Sequence, residues 1–212
     1  MTADMPEKAS LRRHLLAARA QLTSHDVESA AALLARGAWE LAELAEPTGT
    51  DADTRAGAGA ASRTVAAYVS VGREPGTRAL LDVLRARGVR VLLPVLLPDN
   101  DLDWAAYEGA DGLAKAGRGL LEPTGPRLGP EAVCAADVVL LPGLAVDERG
   151  MRLGRGGGSY DRVLARLARA GADPALVVLL YANEVVARVP EEPHDHPVHA
   201  VVTPEGVIRF VP

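Results

Sequence analysis

The chain carries a glycine-rich segment, residues 152–162, whose groups could bind an anion. It reads RLGRGGGSYDR and combines four glycines with three arginines, a serine, a tyrosine and an aspartate. Glycines let a phosphate approach backbone N–H groups closely, and the first N–H groups of a helix attract anions. Arg152 and Arg155 could add charge-assisted hydrogen bonds, for which a bare turn has no use. The composition therefore favours a phosphate-binding loop over the alternative, a sharp turn that leads into a helix.

The spacing of this segment departs from three familiar loops. Ser159 stands at the third glycine position of the dinucleotide fingerprint G-x-G-x-x-G, and the Gly-Lys-Ser/Thr of a Walker A loop is missing. Asp161 stands at the last glycine of the G-x-S-x-G nucleophile elbow. A helix with one apolar face is predicted at residues 160–170, and Ser159 is predicted to be its N-cap. The segment matches none of these three loops and predicts a phosphate-binding loop of another kind.

The apolar pattern of the chain predicts the elements that hold this loop. Short apolar runs typical of buried strands alternate with amphipathic helices after residue 63. Strands are predicted at residues 64–71, 89–94, 101–107, 137–141, 176–180, 199–203 and 207–211, and helices at 7–21, 24–45, 77–87 and 160–170. The predicted fold class is α/β: a single domain with a mainly parallel, doubly wound sheet and helices on both faces, a Rossmann-like three-layer sandwich.

The predicted sheet also places the loops. In an open α/β sheet, ligands bind outside the carboxyl ends of the strands. Three loops that follow predicted strands should meet there, at residues 72–76, 142–159 and 190–197. The glycine-rich segment closes the second of these loops. We therefore expect a single site to which all three contribute.

Bulk composition limits the class of protein. The 212 residues suit one domain, residues 1–212, in which the small, polar and glycine-rich residues 47–63 have the character of a flexible insertion. A net charge of −5 argues against general nucleic-acid binding, and no segment has the apolar length of a signal peptide or a membrane span. The single cysteine, Cys134, excludes an internal disulfide framework. We expect a cytoplasmic protein without nucleic-acid or membrane partners; its oligomeric state stays open, with a monomer slightly favoured.

Four segments together resemble one enzyme family. Residues 141–162, LPGLAVDERGMRLGRGGGSYDR, resemble the nucleotide-site signature of the 5-formyltetrahydrofolate cyclo-ligases. Residues 8–12 (KASLR), 68–77 (YVSVGREPGT) and 189–198 (VPEEPHDHPV) resemble that family's N-terminal, substrate-loop and metal-site segments, in the same order. The resemblance spans nearly the whole chain except residues 47–63.

This resemblance implies a reaction between two small molecules. Family members convert 5-formyltetrahydrofolate and ATP, with Mg²⁺, into 5,10-methenyltetrahydrofolate, ADP and phosphate. Phosphorylation of the formyl oxygen would give an iminophosphate with a good leaving group, and N10 of the same molecule would close the ring. The protein would mainly position both substrates and neutralise charge.

The resemblance also assigns residues to each ligand. ATP binding is assigned to Lys8, Arg12, Arg152, Leu153, Gly154, Arg155, Gly156, Gly157, Gly158, Ser159 and Tyr160. Substrate binding is assigned to Val69, Glu74, Arg155 and Tyr160, and Mg²⁺ binding to Asp161 and Asp195. A carboxylate such as that of Glu74 could accept hydrogen bonds from the amino and N–H edge of a pterin. Mg²⁺ prefers carboxylate and phosphate oxygens together.

Each assignment has an alternative that the sequence leaves open. Lys8 and Arg12, four residues apart on a predicted helix, could be two solvated cations. His194, His196 and His199 could form a zinc site, although no cysteine or helical spacing supports one. Ser159 stands where many relatives have a second tyrosine, and His199 where an acidic residue is expected, so the substrate and metal surroundings stay open there.

Two other classes of protein also remain possible. The first is a non-catalytic ATP-binding regulatory module on the same fold. It would gain weight if Glu74 or Asp195 lay far from the glycine-rich segment. The second is an isomerase or transferase on a related α/β sheet, for which the sequence offers no comparable signature.

Overall fold

The computed structural model of the chain describes residues 4–41, 63–192 and 196–210. The helices in these ranges are α1 (Asp4–Gln21), α2 (Ser24–Ala38), α3 (Arg78–Ala86) and α4 (Ser159–Ala170). The strands are β1 (Thr64–Ala66), β2 (Arg90–Leu96), β3 (Leu102–Ala106), β4 (Leu113–Lys115), β5 (Leu121–Pro123), β6 (Val138–Leu141), β7 (Ala145–Asp147), β8 (Arg152–Leu153), β9 (Ala175–Leu179), β10 (Val185–Val186), β11 (Ala200–Thr203) and β12 (Gly206–Arg209). Short 3-10 turns lie at Ala110–Gly112, Gly117–Gly119, Pro130–Ala135 and Ala182–Glu184.

A seven-stranded sheet in the order β12-β11-β9-β6-β1-β2-β3 forms the centre of the molecule. Its five inner strands pair in parallel, and the edge strands β3 and β12 are antiparallel to their neighbours. A three-stranded sheet in the order β10-β7-β8 and a β4-β5 hairpin accompany it. The predicted α/β class with a mainly parallel sheet is confirmed.

Both faces of the central sheet are covered, which explains why its inner strands are apolar without alternation. In β6, Val138 and Leu140 pack into the core cluster that contains residues of α2 and α3. Val139 and Leu141 point to the opposite face, into the cluster that contains residues of α4. The predicted three-layer arrangement follows from this double burial.

Helix α1 packs on the small sheet through an apolar contact of its own. Leu15 is 3% exposed and lies in a cluster with Leu144, Leu153 and Val189. Leu144 and Leu153 belong to the chain on either side of the β7-β8 turn, which leads into the glycine-rich segment. This packing places the polar side chains of α1 beside that segment.

Strand β1 is shorter than the predicted strand at residues 64–71. The ladder ends when Ala67 N–H donates to the carbonyl of Leu92 at 2.8 Å. Beyond it, the amides of Ser70 and Val71 donate to the side chains of Thr77 and Glu74, at 2.9 Å each. Because side chains, and not a neighbouring strand, accept hydrogen bonds from these amides, the chain leaves the sheet here and continues as a loop at the carboxyl end of β1.

Two sequence predictions lie wholly or mostly outside the described residues. Residues 42–62 are not described, so the predicted insertion at 47–63 stays a prediction. The prediction that the second helix continues to about residue 45 is wrong, because α2 ends at Ala38 and its C-cap, Trp39, donates its N–H to the carbonyl of Arg36 at 3.1 Å in a tighter turn. Residues 193–195 are not described either, and these include Asp195, the second expected Mg²⁺ ligand. None of the helices in the described part of the chain combines the length and apolar character needed to cross a bilayer.

Candidate active site

A cleft of about 330 Å3 opens at the carboxyl ends of β1, β2 and β6. One wall is the loop after β1, including Val69 and Glu74, and a second is formed by Arg152 and residues 154–161 of the glycine-rich segment. Leu153, expected at ATP, does not line the cleft and is buried in the cluster with Leu15. A third wall comes from residues 118–122. Two of the three predicted loops therefore meet in one cavity, as expected for an open α/β sheet.

The glycine-rich segment turns through left-handed backbone before it enters α4. Gly156 has φ +88° and Gly158 has φ +77°, a region that residues with a Cβ rarely adopt. Gly158 is the N-cap of α4, and no side chain caps this helix. The prediction that Ser159 is the N-cap is wrong, because the turn at Gly158 places Ser159 in the first helical turn. Residues 158–161 line the cleft, and no side chain caps the N–H groups of this turn, which suits an anion.

We expect Gly158→Ala to lower the free energy of unfolding by about 1 kcal/mol, because an L-residue is strained in left-handed backbone. A Cβ at Gly158 would meet no atom within 4 Å, so the cost would be conformational. Gly157→Ala is the matched control, since its Cβ also meets nothing within 4 Å and its φ lies outside that region. Urea denaturation of both variants would measure the difference. Equal losses would contradict the role given to the backbone.

Lys8 and Arg12 lie on the face of α1 that approaches the cleft. Arg12 Nε donates to the carbonyl of Gly154 at 2.9 Å, so its guanidinium lies against the glycine-rich segment. Lys8 is 7% exposed, and its Nζ is 3.1 Å from Oε2 of Glu192, in the third predicted loop. The alternative of two solvated cations is therefore wrong for Lys8. From these positions, both side chains could reach a polyphosphate that is bound by the glycine-rich segment.

Arg152 and Asp161 form an ion pair across the start of α4. Arg152 Nη2 donates to Oδ1 of Asp161 at 3.1 Å, while Nη1 donates to the carbonyl of Pro142 at 3.0 Å. The Arg152 side chain is buried, whereas the Asp161 side chain is 53% exposed. Asp161 thus presents a carboxylate to the cleft without taking part in the core.

Glu74 and Arg155 join two walls of the cleft. Arg155 Nη1 lies 3.2 Å from Oε1 of Glu74, and Oε2 of Glu74 accepts the Val71 N–H at 2.9 Å. The Glu74 side chain is 10% exposed and that of Arg155 53%. Val69, two residues before Val71, is 7% exposed and lines the same wall. Glu74 is therefore adjacent to the glycine-rich segment and not remote from it.

Two buried tyrosines complete the interior of the cleft. The hydroxyl of Tyr160 is buried and has no hydrogen-bond partner among the described residues. Burial, with the charge of Glu74, raises the pKa of Tyr160 above its ordinary value, and burial raises the pKa of Tyr68 well above its own. Both phenols stay protonated at neutral pH, so Tyr160 can donate a hydrogen bond to a ligand oxygen. Sequence reasoning missed Tyr68, although it precedes Val69 in the segment assigned to substrate.

The metal residues are only partly placed. Asp161 is at the cleft, while Asp195 and His194 lie outside the described residues. In the described part of the chain, no group of three His, Cys, Asp or Glu side chains could hold a metal ion. Nδ1 of His199 accepts the Leu176 N–H at 2.8 Å, so this nitrogen fixes the backbone. The described histidines give no support to a zinc site.

Asp147, which sequence reasoning did not single out, fixes the turn before the glycine-rich segment. It is fully buried, and its carboxylate accepts the N–H groups of Arg149, Met151 and Val189 at 2.9, 3.1 and 3.0 Å. The Arg149 guanidinium adds a contact at 2.8 Å. Burial opposes ionisation, but these hydrogen bonds outweigh it and lower the pKa of Asp147. The signal in the sequence was a lone Asp followed three residues later by Gly150, a turn pattern.

We expect Asp147→Asn to lower the free energy of unfolding at pH 7 by about 2 kcal/mol, through the loss of hydrogen bonds to a charged acceptor. Because the folded-state pKa is below the unfolded value, the ionised Asp147 stabilises the fold above about pH 4. That stabilisation disappears as the pH falls through the folded-state pKa. The difference in the free energy of unfolding between wild type and variant should therefore become smaller in that pH range. Glu148→Gln, at the exposed neighbouring carboxylate, is the control. A gap that is constant from pH 7 to pH 3 would contradict the prediction.

The third wall of the cleft was not predicted. It follows β4 and consists of Arg118, Leu120, Leu121 and Glu122. Arg118 Nη1 donates to Oδ1 of Asn100 at 2.9 Å, and Glu122 accepts the Leu96 N–H at 3.0 Å. Arg118 lies in a 3-10 turn, and Leu121 and Glu122 lie in the three-residue strand β5; both elements are too short for periodicity to give a signal. They add an apolar surface to the substrate side of the cleft.

The chain is similar to proteins of one enzyme family in sequence and in fold. The family profile described as the 5-formyltetrahydrofolate cyclo-ligase family matches residues 4–204. The 5-formyltetrahydrofolate cyclo-ligase of Mycolicibacterium smegmatis is 44% identical over 154 residues, which cover 70% of this chain and 77% of that protein. That of Escherichia coli is 34% identical over 148 residues, covering 69% and 80%. The NMR structure of Aquifex aeolicus 5,10-methenyltetrahydrofolate synthetase is 25% identical with a TM-score of 0.74, and covers 97% of this chain and 93% of that chain.

Proposed function

The chain belongs to the 5-formyltetrahydrofolate cyclo-ligase family, and from this premise we propose that it cyclises 5-formyltetrahydrofolate to 5,10-methenyltetrahydrofolate with conversion of ATP to ADP and phosphate. The observation that carries the proposal is the contact between Arg155 and Glu74 at 3.2 Å. It joins the loop suited to phosphates to the loop suited to a pterin within one cleft. A nucleotide and a folate bound there would be neighbours, which a transfer between them requires.

The two substrates would divide the cleft between them. The triphosphate would lie against the N–H groups at the start of α4, with Arg12, Lys8 and Arg152 supplying positive charge. The pterin would lie against Val69, with its amino and N–H edge donating to Glu74. The third wall, with Leu120 and Leu121, would cover the apolar part of the folate.

Chemistry would proceed in two displacements. The formyl oxygen attacks the γ-phosphorus of ATP, the bond from that phosphorus to the bridging oxygen breaks, and ADP leaves. N10 of the same folate then attacks the formyl carbon, the carbon–oxygen bond breaks, and phosphate departs with the former formyl oxygen while N10 loses its proton. Arg152 and Arg155 would neutralise charge on the transferred group, and Tyr160 would donate to one of its oxygens.

A Mg²⁺ ion suits the donors at the start of α4. Asp161 presents a half-exposed carboxylate beside the glycine-rich segment, and hard cations take carboxylate and phosphate oxygens together while keeping several waters. One or two protein carboxylates are enough for such a site, so Asp161 fits, with Asp195 as the proposed second ligand. When bound, the ion would neutralise charge on the polyphosphate. Asp161 would hold and orient that assembly.

The direct test mixes purified protein with 5-formyltetrahydrofolate, ATP and Mg²⁺ and follows the absorbance of the methenyl product. We expect product formation that depends on ATP and is matched by ADP release. Nucleotide binding without turnover would favour a non-catalytic regulatory module. Absence of both binding and turnover would overturn the assignment of the cleft itself.

A further inference from the structure

We propose that Arg19 and Glu184 form a buried positioning pair that aligns the nucleotide loop with the substrate loop. Neither residue is among those that line the cleft. The kinetic part of this inference rests on the proposed function, and its structural part does not. The pair joins three segments that must hold their mutual distances if two bound substrates are to react.

The pair itself is fully formed and almost completely buried. Arg19, in the last turn of α1, is 4% exposed, and Glu184, in the 3-10 turn after β9, is 1% exposed. Arg19 Nε donates to Oε1 of Glu184 at 2.6 Å, and Nη2 donates to Oε2 at 2.8 Å. This two-point geometry fixes the orientation of both side chains as well as their distance.

One branch of the network leads to the nucleotide side. Arg19 Nη2 also donates to the carbonyl of Gly143 at 2.7 Å. The carbonyl of the preceding residue, Pro142, accepts from Arg152, which pairs with Asp161. Arg19 thus connects to the β6-β7 loop next to the point where that loop holds Arg152. The same helix carries Lys8 and Arg12, about three and two turns before Arg19.

The other branch leads to the substrate side. Glu184 Oε2 accepts the N–H of Tyr181 at 3.0 Å, and the Arg19 guanidinium lies 5.7 Å from the centre of the Tyr181 ring. The hydroxyl of Tyr181 donates to the carbonyl of Arg73 at 3.2 Å. Arg73 immediately precedes Glu74 in the substrate loop. A displacement of Arg19 would therefore shift the backbone next to Glu74.

Stability alone does not account for such a pair. Burying two charges carries a large desolvation cost, and neutral substitutes of similar volume often fold as well or better. A guanidinium that contacts a carboxylate and a carbonyl at once offers something that neutral side chains lack, a fixed geometry among three segments. Misplacement of reacting groups by about 1 Å can cost about 10²-fold in rate.

The test uses a neutral double variant, Arg19→Met/Glu184→Gln, in which no buried charge is left unpaired and residue 184 can still accept the Tyr181 N–H. Arg19→Lys is a second variant that keeps the charge but not the fork. The matched control is Arg166→Met/Asp101→Asn. Arg166 and Asp101 form another ion pair, with Nη2 to Oδ2 at 2.6 Å, in which the Arg166 side chain is buried and that of Asp101 is partly buried. Asp101 also accepts the backbone N–H of Leu102, and Arg166 also donates to the exposed Glu131. That pair ties α4 to the edge strand β3, and neither member lines the cleft.

We expect kcat of both Arg19 variants to fall at least tenfold, while the Kd of ATP measured alone changes less than threefold, and we expect the control to keep its kcat within twofold. Amide hydrogen exchange gives a readout that does not need turnover. Peptides that cover residues 71–77 and 142–154 should exchange at least tenfold faster in the Arg19 variants and unchanged in the control. Should the wild type be inactive, the proposed function fails, while exchange still decides the positioning role. Unchanged exchange in folded Arg19 variants, or a kcat equal to that of the control, would overturn it.

Discussion

Asp161→Ala should lower turnover about 10³-fold while leaving the fold intact. The factor corresponds to about 4 kcal/mol of transition-state stabilisation, the size expected when a group that orients charge on a transferring phosphoryl is removed. The Asp161 side chain is half-exposed and bonds to Arg152 at the mouth of the cleft, so its removal leaves no cavity in the core. The rate of methenyl formation and the thermal midpoint of unfolding, measured on the same preparation, would check both parts.

Asp173→Ala is a suitable control for Asp161→Ala, because Asp173 is an exposed aspartate just beyond the other end of α4. We expect it to keep turnover within twofold. If higher Mg²⁺ partly restored the Asp161 variant and not an Arg12→Ala variant, the carboxylate would be tied to the metal and not to the helix dipole. Turnover within tenfold of the wild type in Asp161→Ala would be incompatible with its proposed role.

The sequence was sufficient for the architecture and for the cleft as a meeting point of loops. A run such as residues 137–141, apolar without alternation, predicts a strand that is covered on both faces, and β6 is buried on both faces. The rule that ligands bind at strand carboxyl ends then predicts that Val69, Glu74 and the glycine-rich segment lie together. Those expectations rest on backbone direction, which local pattern determines well.

The sequence pattern could not predict where side chains compete with neighbouring strands for backbone hydrogen bonds. The strand predicted through Val71 ends at Ala66 because Thr77 and Glu74 take the amides that a neighbouring strand would otherwise pair. Ser159 has the chemistry of an N-cap, but Gly158 adopts the left-handed conformation one residue earlier and moves the cap. In both cases the sequence indicated the right kind of element. The exact residue at which it ends or begins was determined by side-chain hydrogen bonds for β1 and by one backbone dihedral for α4.

Long-range polar contacts were equally invisible. Asp147 reaches Val189, 42 residues away, and Arg19 reaches Glu184 across 165 residues. The turn pattern at Asp147 gives no indication of Val189, and a buried ion pair such as Arg19 and Glu184 looks like two ordinary charges until the fold brings its members together. The parts of the site that the family signature supplied are those that could touch a ligand. The parts that it lacked are those that hold the ligand-touching groups in place.

Ion pairs hold several cations at the cleft of a protein whose net charge is −5. Three of the cations expected at a phosphate contact a carboxylate: Lys8 contacts Glu192, Arg152 contacts Asp161, and Arg155 contacts Glu74. Such pairs lower the cost of holding several cations close together. A bound polyphosphate would replace the carboxylates as partners and leave Asp161 and Glu74 available for metal and pterin. The two ligands would then favour each other's binding, in reciprocal amounts.

Glu74→Gln should lower kcat/KM for 5-formyltetrahydrofolate about 10²-fold, mainly through KM, with no increase in the Kd of ATP. The carboxylate is the group proposed to accept from the pterin edge, and charge-assisted hydrogen bonds to a buried acceptor are worth about 1.5–3 kcal/mol each. Glutamine keeps the length of the side chain and an oxygen that can accept the Val71 N–H, so the loop should keep its shape. Steady-state kinetics with each substrate varied in turn would separate the two effects.

Glu122→Gln makes the comparison specific, because Glu122 is another carboxylate that lines the cleft and accepts a backbone N–H, that of Leu96. Its oxygen serves the backbone of β2, and no pterin contact is proposed for it, so kcat/KM should fall less than tenfold. Equal losses in the two variants would mean that negative charge in the cleft, and not a directed hydrogen bond from Glu74, favours the folate. A loss in Glu74→Gln that appeared in the Kd of ATP and not in the KM of the folate would place Glu74 on the nucleotide side, and the division of the cleft proposed above would have to be reversed.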